Sequence, residues 1–260
     1  MPIDTSDAAA DGLLVRVEGL SHRFADGRLG LDRVDLSVRR GELLALAGRN
    51  GSGKTTLLRH LNGLLMPSAG LVWVDGRTVA ADPAQARRRV GIVFQDADSQ
   101  IVGETVYDDV AFGPENQGLE PEAVRGRVAD ALAAVDLTAL AARRPHELSG
   151  GEKRRLAIAG VLAMGPPVIA LDEPFANLDY PGVCQVLGHL LALRAAGRTL
   201  VVASHDLDKI AAHADRLVVL AAGRVVLEGP PAVLAGQVEA FGVRSPEVLP
   251  QGGTLRSWLT

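Results

Sequence analysis

Several stretches of this 260-residue chain gather residue types that can handle phosphate. Gly48-Arg49-Asn50-Gly51-Ser52-Gly53-Lys54-Thr55 reads glycine, four residues, Gly-Lys-Thr, the pattern of a P-loop. Glycines at 48, 51 and 53 let the backbone curl with its N–H groups turned inward. Lys54 offers a point charge for the β- and γ-phosphates of a nucleotide, and the Thr55 hydroxyl can ligate Mg²⁺. Asp172 and Glu173 follow the apolar run 168–171. Adjacent carboxylates at the end of a buried strand are costly unless a cation faces them, and in a P-loop protein that cation is Mg²⁺ with its nucleotide. Gln95 and Ser204-His205-Asp206 also end apolar runs, where open α/β sheets bind their ligands.

The elements that must position these residues are readable. Glu42–Ala47 predicts a buried strand and Thr56–Leu65 has apolar residues at helical spacing, so the glycine loop joins a strand to a helix N-terminus. Leu13–Val17 alternates as a strand, and 29–38 gives another. Phe24 stands in a polar turn of a chain only 3% aromatic, either as a stacking platform for a base or as a core aromatic. Residues 70–74 with Asp75-Gly76 predict a hairpin, 82–89 a short capped helix, and 90–94 a buried strand. From 96 to about 163 strand signals disappear, and helices are expected over 104–111 and 121–135. Leu148-Ser149-Gly150-Gly151-Glu152 opens a further helix with Ser149 at or near its N-cap. A helix over 181–196, a strand over 199–203 and a hairpin over 217–227 follow, and the stretch after Gln237 carries no motif.

Composition bounds the function. Hydrophobic residues are 47% and charged residues 22%, the balance of a globular chain with a sizeable core. A net charge of -4 argues against a nucleic-acid partner. Cys184 is the single cysteine, so no internal disulfide can form. Residues 1–12 are acidic and small, lack the pattern of a signal peptide, and are expected to form a mobile tail. No apolar stretch is long enough to span a bilayer.

The order of P-loop, Gln95, LSGGE at 148–152, Asp172-Glu173, Asn177-Leu178-Asp179 and His205 resembles the ATP-binding cassette (ABC) ATPases over roughly residues 13–230. The resemblance implies an α/β fold: a P-loop (RecA-like) ATPase core with an N-terminal antiparallel β subdomain and a helical subdomain inserted at about 96–163. The ATPase domain is expected over 13–236, with 237–260 as a C-terminal extension. ATP and Mg²⁺ are the implied ligands. Phe24 matches the family's adenine-stacking aromatic, and Gly48 to Thr56, including Asn50, Ser52 and Gly53, would cradle the phosphates. Thr55 and Gln95 would ligate Mg²⁺, with Asp172 acting on it largely through water. Glu173 would be the general base, and His205 would contact the γ-phosphate. Ser149, Gly150 and Gly151 would bind the nucleotide held by a second cassette, with Asp179 in the loop crossing between them. Two copies, or one copy and a paralogue, would thus sandwich two ATP molecules.

The segment Phe94–Leu119 (FQDADSQIVGETVYDDVAFGPENQGL) is similar to energy-coupling-factor importers of cobalt, nickel or vitamins such as biotin. That resemblance implies a transmembrane coupling protein and a substrate-binding membrane protein as partners, and a peripheral position on the cytoplasmic face of the inner membrane. The cargo suggested by segment 94–119 is cobalt or nickel, with biotin as the alternative. Tyr180, where many relatives carry Pro, Glu152, where Gln is commoner, and Phe24, where Tyr is usual, depart from the pattern without removing a catalytic group. A DNA- or ribosome-directed ABC ATPase would need a long coiled-coil insertion or two cassettes in one chain, and this sequence has neither. An ordinary ABC importer or exporter subunit is the other alternative, and segment 94–119 separates the two.

Overall fold

The computed structural model describes residues 12–248 and 254–259. Two long strands, β1 (Leu13–Arg23) and β2 (Leu29–Arg39), precede β3 (Leu43–Ala47), and the glycine loop then opens α1 (Lys54–Leu61). A hairpin of β4 (Ala69–Val74) and β5 (Arg77–Thr78) leads through α2 (Pro83–Arg89) into β6 (Val90–Val93). Three helices follow: α3 (Val106–Asn116), α4 (Pro121–Ala134) and α5 (Gly150–Ala163). Next come β7 (Val168–Asp172), α6 (Tyr180–Ala195), β8 (Thr199–Ser204), β9 (Arg216–Ala221), β10 (Arg224–Gly229) and the one-turn α7 (Pro231–Leu234).

Two sheets result. The first is antiparallel, in the order β2-β1-β4-β5. The second runs β10-β9-β3-β8-β7-β6, parallel except for the edge strand β10. The uninterrupted apolar sequence of β3 is explained by burial on both faces. Leu44 and Leu46 enter a core shared with β1, β2, β4 and α1, while Leu43, Ala45 and Ala47 enter the core under α3 to α6. β7 and β8 alternate in the same way, Ile169, Leu171, Leu200 and Val202 to one core and Val168, Ala170, Val201 and Ala203 to the other.

The parallel register decides where function can sit. Ala47 lies opposite Ser204, and Asp172 opposite Ala203, so β3, β7 and β8 end at one edge. The glycine loop, Asp172-Glu173 and His205 must therefore emerge together, and Gln95 joins them because β6 pairs with β7 in step.

Two elements differ from the sequence expectation. β1 continues beyond Val17 to Arg23, because Leu20 and His22 still pair with Val34 and Leu31 of β2; irregular register between Val17 and Leu20 absorbs the bend. α3 runs past Ala111 and carries Pro114 within it. After Gln237, where the sequence left the arrangement open, the described residues dock, with Val238, Val243 and Leu255 buried in the helical-side core. The tail expected over 1–12 lies, apart from Gly12, outside the described residues.

Candidate active site

The loop after β3 closes around Lys54. Its Nζ donates to the carbonyl of Gly48 across 2.7 Å, and the Ser52 N–H donates to the Arg49 carbonyl across 3.1 Å. Gly48 has φ 154, and a Cβ there would lie 2.3 Å from Ser52 Oγ, so no side chain can occupy the position. α2, α3, α5 and α6 start under side-chain caps from Asp82, Thr105, Ser149 and Asp179, whereas α1 begins at Gly53 with no side-chain cap and no acidic residue in its first turn. An uncapped helix N-terminus presents N–H donors and the positive end of a dipole to an anion. Ser52 Oγ is buried without a hydrogen-bond partner, an orphan that a ligand oxygen can satisfy.

Beside this cradle the two carboxylates take different places. Asp172 Oδ2 accepts from Thr55 Oγ1 at 2.6 Å, and burial pushes the Asp172 carboxyl above the ordinary carboxylate range against that hydrogen bond. Glu173 lies in the left-handed backbone region at φ 49, a strained setting that its N–H bond to the Ala203 carbonyl helps hold. Its carboxylate meets Lys54 Nζ at 3.4 Å, the His205 N–H at 3.0 Å and His205 Nδ1 at 3.0 Å. Carboxylate, ammonium and imidazole thus form one cluster.

A cavity of about 330 Å³ brings together Phe24, Asn50 to Thr56, Gln95, Asp172 and Glu173. Phe24 forms its far wall: the ring is half-buried, not part of the core, with the Arg28 guanidinium 5.0 Å from its centre. A Cβ on Gly30 would fall 2.5 Å from Phe24 Cε2, so a glycine there gives the ring its room.

The ABC transporter family profile matches residues 31–176. This chain belongs to the ABC transporter family. It is 52% identical over 233 residues to the energy-coupling factor transporter ATP-binding protein EcfA1 of Symbiobacterium thermophilum, covering 85% of this chain and 81% of that protein. It is 46% identical over 242 residues to the cobalt import ATP-binding protein CbiO of Rhodobacter capsulatus, covering 91% and 86%. The solved structure of cbiO1 from Clostridium perfringens, part of the ABC transporter complex cbiONQ, superposes with a TM-score of 0.81 at 37% identity, covering 88% of this chain and 93% of that one. The chain is thus an ATP-hydrolysing subunit of an ABC transporter, of the energy-coupling-factor type.

In this ABC ATPase the LSGGE residues stand apart from the cavity. Ser149 and Gly150 are exposed at the start of α5, and neither they nor Gly151 line it. Ser149 Oγ accepts the Glu152 N–H at 3.3 Å, and the Glu152 carboxylate accepts the Ser149 N–H at 2.7 Å, which holds that carboxyl below its ordinary range. Asp179 is also outside the cavity, its Oδ1 taking the Gly182 N–H at 3.0 Å. Sequence reading did not single out Arg28, Leu29 or Gly30, which line the cavity, nor Arg154, which supports Gln95 from α5. The Phe24-to-Gly30 spacing across one strand turn was the available signal for the first three. Arg154 carried none, since a buried arginine on a helix is written like an exposed one.

Proposed function

We propose that this ABC ATPase binds Mg·ATP in the cavity between Phe24 and Glu173 and hydrolyses it to drive import of a divalent metal ion, cobalt or nickel. The observation that carries the site is the convergence of Lys54, Glu173 and His205 within 3.4 Å contacts at the mouth of an uncapped helix. The donors fit a magnesium ion: a buried carboxylate on Asp172, the Thr55 hydroxyl and the Gln95 amide line one wall, all oxygen ligands of the kind a hard cation takes. Bound there, Mg²⁺ supplies positive charge against the phosphates.

The chain's own residues do the remainder. The α1 N-terminus and the loop N–H groups from Asn50 to Thr56 hold the phosphates, and Phe24 stacks on the base. Lys54 Nζ sets a fixed charge beside the terminal phosphate. Glu173 accepts the proton of the attacking water on its carboxylate, which the His205 N–H and imidazole orient. With Nδ1–H donated to the Glu173 carboxylate, His205 donates Nε2–H to the γ-phosphate as an imidazolium.

Ser149 to Gly151 lie outside the cavity, so the reading in which they close over a nucleotide requires a second cassette, a copy of this chain or a paralogue, arranged head to tail. Among the described residues no helix is long and apolar enough to cross a membrane. Transport therefore rests on a transmembrane coupling protein and a substrate-binding membrane protein, with this subunit peripheral on the cytoplasmic face. Exposed Val102 and Phe112 in segment 94–119 support docking there. The metal cargo is supported by the similarity to the cobalt import protein of R. capsulatus.

Uptake of labelled Co²⁺ and Ni²⁺ tests this in cells whose chain carries Glu173→Gln. The variant should bind ATP, turn over at least about 100-fold more slowly, and lose metal uptake. Loss of biotin uptake with metal uptake intact would shift the cargo to a vitamin. Copurification with ribosomes or nucleic acid alone would overturn the transport reading.

A further inference from the structure

We propose that residues 238–248 and 254–259 form a positioning strap for the ATP site, latched by Tyr180 onto the main chain of Trp258; this rests on the ATP-site reading above. The described parts of the segment, 238–248 and 254–259, meet three site-bearing loops in turn.

At its start, the strap turns at Gly242 (φ 70) against the glycine loop. A Cβ on Gly242 would lie 2.5 Å from Arg49 Cδ, so the Arg49 side chain fills the space that the glycine leaves. The carbonyl of this same Arg49 accepts from Ser52 N–H and, at 3.4 Å, from Lys54 Nζ. The strap thus holds one end of a residue whose other end shapes the phosphate cradle. In its middle, the Glu247 N–H donates to Asp208 Oδ1 at 2.8 Å, three residues beyond His205. At its end, the Trp258 carbonyl accepts from Tyr180 Oη at 3.1 Å and from Cys184 Sγ at 3.2 Å, while the Tyr180 and Trp258 rings lie 5.3 Å apart. Ser257 Oγ meets His213 Nε2 at 3.0 Å.

Tyr180 opens α6 directly after Asp179, the residue that caps it. Its side chain is 60% exposed, so its contact with Trp258 is not core packing. A hydroxyl held by the strap, on the residue next to Asp179, fixes the entry of α6. With Arg49 held at the other end, the glycine loop and the Asp179 turn are linked through these two pieces, which the Arg256 N–H ties together on the Glu247 carbonyl at 2.9 Å. A strap that served stability alone would have its anchors in the core, as Val238, Val243 and Leu255 are. Its anchors on Arg49, Asp208 and Tyr180 lie at or beside the site's own loops, while Ser257 on His213 and Ser245 on the Ala235 carbonyl tie it elsewhere.

The test uses the full chain. Trp73→Phe leaves Trp258 as the single tryptophan reporter. Adding Mg·ATP, with binding followed separately by calorimetry, should change Trp258 emission. In the same chain, Tyr180→Ala should lower kcat about tenfold, change KM for ATP less than twofold, and abolish the emission change, and Tyr180→Phe, which keeps the ring but removes the latching hydroxyl, should lower kcat by about as much. ATP binding with no change in Trp258 emission would overturn the strap, as would a folded Tyr180→Ala chain with kcat within twofold of the parent. Failure to bind ATP at all would instead overturn the site reading beneath it.

Discussion

Arg154 donates from its two terminal nitrogens to the main-chain carbonyls of Phe94 and Gln95, at 2.7 Å and 2.5 Å. Helix α5, capped by Ser149, therefore grips the end of β6 at the residue facing the cavity. Arg154 is only 4% exposed, and a buried cation committed to two carbonyls is a rigid connection, not a surface charge. The Arg154→Met variant should keep ATP affinity within about threefold and lose roughly ten- to thirtyfold in kcat, because Gln95 loses its support while the cradle stands. Steady-state ATPase assays beside calorimetry check this; a variant with full kcat and only a lower melting temperature would reduce Arg154 to packing.

Asp172 is held by burial above the ordinary carboxylate range. The sign follows from linkage. Below the unfolded-state pKa both states are protonated and nothing is lost; above the raised folded-state pKa the folded chain bears the full cost of a buried charge. Asp172→Asn removes that cost while keeping an oxygen for the Thr55 hydroxyl. Without nucleotide or Mg²⁺, the variant should melt about 2–4 °C higher at neutral pH, with the gain shrinking as pH falls into the carboxylate range, and its ATPase should be lost. Thermal scans across pH measure it, and a lower melting point at pH 7 contradicts it.

Gly30 leaves room for Phe24. Phe24→Ala should weaken ATP binding roughly five- to fiftyfold, the range of one base-stacking contact. Gly30→Ala should reproduce much of that loss without touching the aromatic, since the added methyl displaces the ring. The double variant should be no weaker than Phe24→Ala. Fluorescent-nucleotide titrations decide it, and independent, multiplying losses would break the link.

Glu152 places a carboxylate in the first turn of α5, where an approaching phosphate would meet it. Glu152→Gln keeps an oxygen for the Ser149 N–H and removes the charge. ATP-driven association of two chains should tighten about two- to fivefold at low salt, with the gain screened away at high salt. Light scattering in a Glu173→Gln background provides the readout; weaker association would assign Glu152 an attractive role across the interface.

How much of this was readable beforehand depends on the reach of each interaction. The β3–loop–α1 unit is contiguous, and its apolar run, glycines and helical spacing are local signals. Gln95 and His205 were legible because parallel strands that end together must share an edge. The full length of β1 was hidden, because pairing with β2 and β4 overrides a polar, turn-like stretch around Ser21. The docking of residues 238–248 and 254–259 was left open for another reason: Val238, Val243 and Leu255 follow neither the period of a helix nor that of a strand, and each finds its partner singly. Arg154 shows the same limit, since its partners are main-chain atoms some sixty positions away.

The place of β3 in its sheet also has a consequence for a chain still being made. Its neighbours are β8 and β9, and Leu43 pairs with Leu200. At about 5–20 residues per second, the roughly 160 residues between them take on the order of 8–30 s to leave the ribosome. The antiparallel sheet, built from residues 13 to 78, can close within that interval. The strand that carries the glycine loop cannot, and its apolar face waits with no strand beside it. The nascent polypeptide thus completes its grip on nucleotide only once β8 and β9 have emerged, and nucleotide is no template for the closing of the antiparallel sheet before them.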